Sequence, residues 1–153
     1  MFVNTGVPRS LPAGFIEPCL PYPSKRPPVG PEWVHEVKHD GHRLMARRRC
    51  DRVRLYTRRG YDWTGRYPRI AQALRSLKVT SAVIDGEAVW CGPDGVSSFD
   101  KLHSRAHDDQ VFLYAFDLLE LDGVDCRAQP LAIRKACLRK LHGRTQGCSF
   151  PNT

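Results

Sequence analysis

Eight of the chain's twelve prolines fall within its first 32 residues, with Pro27, Pro28 and Pro31 close together. Proline fixes φ and has no amide hydrogen to donate, so such a stretch can form neither a helix interior nor a central strand. Residues 1–32 are therefore expected to be an extended, proline-rich lead-in. Regular structure is expected over 33–142, with 143–153 as an irregular tail. At 153 residues, the chain is long enough for one buried core.

Beyond the lead-in, hydrophobic period assigns the elements. The segment WVHEVK (33–38) alternates as a strand, with Val34, Glu36 and Lys38 on one face and Trp33, His35 and Val37 on the other. Asp40-Gly41 is a turn dipeptide, and HRLMARRR after it reads as the returning strand of a hairpin. RVRLYTR supplies a third strand, and a meander is the simplest topology. Pro68 opens a short helix with Ile70, Leu74 and Leu77 in one stripe. SAVIDGEAVW reads as a strand that aligns Val83, Asp85, Glu87 and Val89, and Ser98 starts a helical turn. VFLYAFDLLEL is the most apolar strand, with Phe112, Tyr114 and Phe116 on one side. Pro130 begins a last helix, with Leu131, Leu138 and Leu141 in a stripe and Arg134, Lys135, Arg139 and Lys140 expected outward. Strands outnumber helices, which makes this an α+β chain, mainly antiparallel sheet with short flanking helices.

Charge points to a partner. The net charge of +8 is uneven: eight arginines lie between Arg43 and Arg59 against the single acid Asp51, whereas Val79–Cys126 holds ten acids against Lys101 and Arg105. Arginine suits bidentate phosphate contacts, so a polyanion is the expected partner, with a solvated strand face as the plainer reading. Six scattered cysteines form no CxxC pair, which argues for reduced thiols. No run is apolar enough to span a bilayer, so no membrane partner is expected, and a cytoplasmic location is. His103 and His107 have the i, i+4 spacing of helical metal ligands but no recognisable third ligand, so no metal ligand is assigned.

The chemistry is carried by four ordered motifs: Lys38-His39-Asp40-Gly41-His42-Arg43, Thr57-Arg58-Arg59-Gly60, Asp85-Gly86-Glu87 and Phe116-Asp117. Their order and separation resemble the ATP-dependent DNA ligases, specifically the adenylation module of the bacterial end-joining type, from about Pro18 to about Leu141. The resemblance implies a partial covalent nucleotidyltransferase domain, ATP-grasp-like in fold, using ATP and Mg²⁺ on nicked or broken double-stranded DNA.

By that resemblance Lys38 is the nucleophile that attacks the α-phosphate of ATP and becomes lysyl-AMP. A lysine amine must be neutral to attack, and roughly 0.1% of it is neutral at pH 7.4 at the reference value. Arg43 and Arg58 would raise that fraction, and Glu36 and Asp40 would lower it. The resemblance places Glu36 beside the adenine, Arg43 on the ribose or the DNA end, and Arg58 on the 5′-phosphate of a nick. It assigns ribose binding to Glu87 and adenine stacking to Phe116. A carboxylate at Glu87 can accept two bonds from ribose hydroxyls, and an aromatic face stacks on any base. His39 and His42 flank the nucleophile and could act as a base, although the family tends to carry an aromatic at position 42.

A Glu-Gly motif and a Lys-x-Lys pair, which in the family hold the divalent ion and the α-phosphate, do not follow in this sequence. The expectation is a C-terminally truncated chain, with unpaired sheet edges and a second chain supplying the missing motifs. Two further readings are a non-catalytic DNA-end binder and an RNA ligase or capping-type transferase.

Overall fold

The strand His42–Arg49 (β1) forms where Leu44, Met45 and Ala46 are buried, and a tight reversal at Cys50-Asp51 returns the chain as Arg52–Thr57 (β2). The structure is a computed structural model and describes residues 14–142 and 148–149. After β2 come α1 (Pro68–Ser76), β3 (Ser81–Val89), α2 (Phe99–His103), β4 (Phe112–Leu121), β5 (Val124–Asp125), α3 (Leu131–His142) and β6 (Cys148–Ser149).

The sheet has six strands in the order β2-β1-β3-β4-β5, with β6 on β4. All pairings are antiparallel except β6 on β4. The α+β, mainly antiparallel reading therefore stands, but the meander does not. β1 pairs with β2 along one edge and with β3 along the other. Both of its hydrogen-bonding edges are thus occupied, and residues 33–38, expected as its hairpin partner, have no ladder to join. They belong to no strand and are exposed. Cys148–Ser149, assigned by sequence to the irregular tail, pairs with Leu113 and Tyr114, while the other tail residues lie outside the described ones.

The two sheet faces differ. One buries Leu44, Ala46, Val53, Leu55, Ile84, Leu113 and Leu118 under Ile70 and Leu74 of α1. Pro68 stands at the start of α1, and the side chain of Arg48 donates to the carbonyls of Leu74, Arg75 and Leu77 at its end. A cation there meets the orphan carbonyls and the negative end of the helix dipole. The opposite face holds a small cluster of Met45, Tyr56, Val83 and Leu119, covered by Phe15 and Ile16 of the lead-in. The rest of that face is polar, and the register shifts opposite Val83–Ile84 and Asp85–Gly86 bring Phe116 and Asp117 onto it.

Candidate active site

The register sets Arg43 opposite Glu87, and Glu87 opposite Tyr114, so three neighbouring strands present these side chains on one face. Asp85, two residues along β3, is 4% exposed and receives Arg43 through both oxygens, Nε at 2.6 Å and Nη2 at 2.7 Å. The same guanidinium lies 4.6 Å from the centre of the Phe116 ring. Arg43 is thus fixed by a bidentate ion pair and a ring face together. Burial pushes the Asp85 carboxyl above its ordinary range, and the bonds from Arg43 pull it back.

Glu87 ties the segment that bears Lys38 to the sheet. Its carboxylate accepts the backbone N–H of Gly41 at 3.2 Å, across 46 residues of sequence. Gly41 is required by this approach, because a Cβ there would collide with the carbonyl oxygen of Ala88. Burial raises the Glu87 carboxyl, and the Gly41 N–H, the Lys38 charge and the Arg43 charge oppose the rise. Lys38 bears on Glu87 through its charge. Its side chain is 86% exposed and pairs with Asp40 at 3.3 Å, so the amine is accessible from solvent.

A pocket of about 510 Å³ opens beside this tie, lined by residues that include Arg43, Arg58, Glu87, Tyr61 and Trp63. Arg58 and Arg59 sit on a turn closed by Gly60 N–H to the Thr57 carbonyl at 2.8 Å, with Gly60 at φ +76, a region that favours glycine. The Thr57-Arg58-Arg59-Gly60 motif thus presents two arginines at the pocket rim. Of the six residues singled out by sequence, Arg43, Arg58 and Glu87 share this pocket, and Phe116 joins them through Arg43. Lys38 is not part of the lining, which Gly41, three residues further along the chain, reaches.

Glu36 goes elsewhere. Alternation predicts that it points with Lys38, but it pairs with Lys135 of α3, whose ammonium also donates to the Phe116 carbonyl at 2.9 Å. Lys135 is 6% exposed, not outward. Arg134 also turns in, to Asp117 at 2.8 Å and 3.1 Å. Helical spacing could not reveal either, because their partners lie on β4 and in the extended segment. The pocket wall of Tyr61 and Trp63 was missed as well, and the aromatics just after the Arg-Arg-Gly turn were its only signal.

His42, expected as a possible base, lines the pocket but sits in an aromatic cage. Its Nδ1 is 2.8 Å from the Tyr67 hydroxyl, and the rings of Trp63 and Phe99 meet it edge-on at 5.1 Å and 5.5 Å. Burial, then the charges of Arg66 and His103, hold it below the usual histidine range, against the pull of Asp108. It therefore packs as one more ring of this aromatic cluster. The His39 ring lies 4.2 Å from that of Tyr114, tilted at 56°. His103 ends α2 and His107 lies beyond it, so the two do not share a helix.

Residues 27–149 match the ATP dependent DNA ligase domain family. The chain belongs to that family, and the match runs eight residues past Leu141, where sequence reading ended the likeness. Among its relatives is the multifunctional non-homologous end joining protein LigD of Pseudomonas aeruginosa, 37% identical over 130 residues that cover 83% of this chain and 15% of the relative. A DNA ligase of Sulfophobococcus zilligii is 33% identical, over 77% of this chain and 22% of its own length. A solved mycobacterial DNA ligase D complexed with ATP and MES superposes with a TM-score of 0.65 at 35% identity, covering 76% of this chain and 38% of that one. The chain spans less than a quarter of the length of these curated relatives.

Proposed function

We propose that the chain is an adenylating module of an ATP-dependent DNA ligase of the end-joining type, acting in DNA repair. The Lys38 amine attacks the α-phosphorus of ATP, losing a proton as the bond to pyrophosphate breaks and a phosphoramidate forms. An oxygen of a DNA 5′-phosphate then displaces the lysine and takes the AMP. Attack by a 3′-hydroxyl on the activated 5′-phosphorus releases AMP and closes the strand.

The observation that carries this reading is the hydrogen bond from Gly41 to Glu87, which brings the segment bearing Lys38 to the rim of the pocket that holds Arg43 and Arg58. In that pocket Glu87 keeps one oxygen for ribose hydroxyls while the other holds Gly41. Arg43, locked by Asp85, presents a fixed positive charge, and Arg58 at the rim receives the 5′-phosphate. Phe116 offers an aromatic surface to the adenine, although the Arg43 guanidinium occupies one side of the ring. Glu36 acts through Lys135, holding the extended segment against α3.

ATP is the nucleotide substrate, and Mg²⁺ is the ion such chemistry ordinarily uses. Among the described residues no group of three His, Cys, Asp or Glu side chains could hold a metal ion, and Asp85 and Asp117 are each engaged by an arginine. These residues do not form a Mg²⁺ site, and none is assigned.

Incubation with α-labelled ATP and Mg²⁺ tests the reading. Acid-stable label on the protein, absent in Lys38→Ala, is expected. No label on folded wild-type protein would remove the enzymatic claim and leave the DNA-end binder, a reading favoured by the solvent exposure of Lys38. The relatives are named for DNA rather than RNA, which weighs against the capping-type alternative.

A further inference from the structure

Of the eight arginines between 43 and 59, four are engaged within the fold. Arg43 is held by Asp85, Arg48 by the end of α1, and Arg54 by Asp62 at 3.2 Å, while the Arg47 guanidinium packs against Gly14. Arg49, Arg52, Arg58 and Arg59 are exposed and make no ion pair or side-chain hydrogen bond with the described residues.

The hairpin register concentrates this charge. Arg47 stands directly opposite Arg54, and Arg49 directly opposite Arg52. Facing residues of an antiparallel pair share a side, and like charges so placed are destabilising. These four arginines alone line a notch of about 210 Å³, with no acidic residue in its wall. Such a notch is a poor way to build a sheet and a good way to hold an anion, since planar guanidinium forks match phosphate oxygens two at a time.

Its placement says which anion. β2 is the edge strand, and Arg52 in the notch lies six residues before Arg58 at the adenylate pocket. At about 3.3 Å per residue along β2, with Arg58 one step into the turn beyond it, they are at most about 20 Å apart, a distance that one strand of a duplex covers in about six nucleotides. We infer that the four-arginine notch receives a backbone phosphate of duplex DNA about six nucleotides from the strand break whose 5′-phosphate meets Arg58. The inference rests on the DNA ligase reading for the position of the break. A phosphate contact of this kind sets register on the duplex without reading sequence.

The test is binding of the 153-residue chain to nicked duplexes between 50 and 200 mM salt, with wild type and the Arg49→Ala/Arg52→Ala double variant. Neutral methylphosphonates replace the fifth to seventh phosphates from the nick, in each strand and each arm in turn. One such window is expected to weaken the wild type several-fold. The double variant is expected to lose as much on unmodified DNA, to be insensitive to that window, and to have a log–log salt slope less steep by about 1. Wild-type affinity and slope in the double variant, further loss from every window, or no duplex binding by the wild type would each overturn the inference. Labelling by α-labelled ATP is measured alongside and is expected to persist in the double variant, which also shows that it is folded. Wild-type DNA binding that depends on the notch, without labelling, would sink the enzymatic reading and leave the notch standing. Labelling without notch dependence would do the reverse.

Discussion

The two faces of one sheet are built on opposite rules. Against α1 the face is apolar and closed, and its largest members, Leu44, Leu55, Ile84, Leu113 and Leu118, are almost wholly buried. On the other face the same strands carry Arg43, Asp85 and Glu87, with burial working against both carboxylates. Close packing of apolar groups stabilises, whereas a buried ion pair rarely repays its desolvation. The first face thus holds the fold together, and the second is the one on which the proposed site stands.

The largest effect should come from the closed face. Leu113→Ala leaves a cavity in the core cluster on this face and is expected to cost about 2–5 kcal/mol in urea unfolding. On the open face, Arg43→Met strands Asp85 without its partner and is expected to cost roughly 2 kcal/mol, below the usual range for a broken buried pair because Arg43 is partly exposed. The Arg43→Met/Asp85→Leu double variant should recover most of that loss while ATP labelling stays abolished. If both variants were equally destabilised, the pair would be structural and the contrast between the faces would fail.

The smallest effect is in pH, and here the faces should oppose each other. His42, on the margin of the closed face, is held below its ordinary value of 6.5 in the folded state. The unfolded chain therefore binds the proton first as pH drops through that value, and stability falls with pH until the folded value is passed. Glu87 is held above 4.5, so the folded state takes up its proton first and stability rises as pH falls from the folded value toward 4.5. In melting curves between pH 7.5 and 4.5, His42→Phe should remove the first trend and Glu87→Gln the second. Profiles unchanged by either substitution would contradict this account of their burial.

The closed face was the legible one, because its residues obey periodicity. Pro68 with Ile70, Leu74 and Leu77 marked α1, Ser98 marked the start of α2 through its bond from the Lys101 amide, and alternation gave β1, β2, β3 and β4. The open face was legible as residue identities, since the motifs name Arg43, Glu87 and Phe116, but not as contacts. Glu36 to Lys135 spans 99 residues and Arg43 to Asp85 spans 42, and no local pattern encodes such pairs. Residues 33–38 were misread because alternation signals an extended chain without saying whether a partner edge is free. Arg48 was indistinguishable from its neighbours in the arginine run, although it alone caps α1.

The central claim, that Lys38 stands at a pocket shaped for an adenylate, is tested most directly by locating the nucleotide on the protein. After incubation with ATP and Mg²⁺, proteolysis and mass spectrometry should find AMP on the peptide containing Lys38 and on no other, and Glu87→Ala should reduce its yield. AMP on a different lysine, or an unmodified Lys38 in folded protein saturated with ATP, would contradict it.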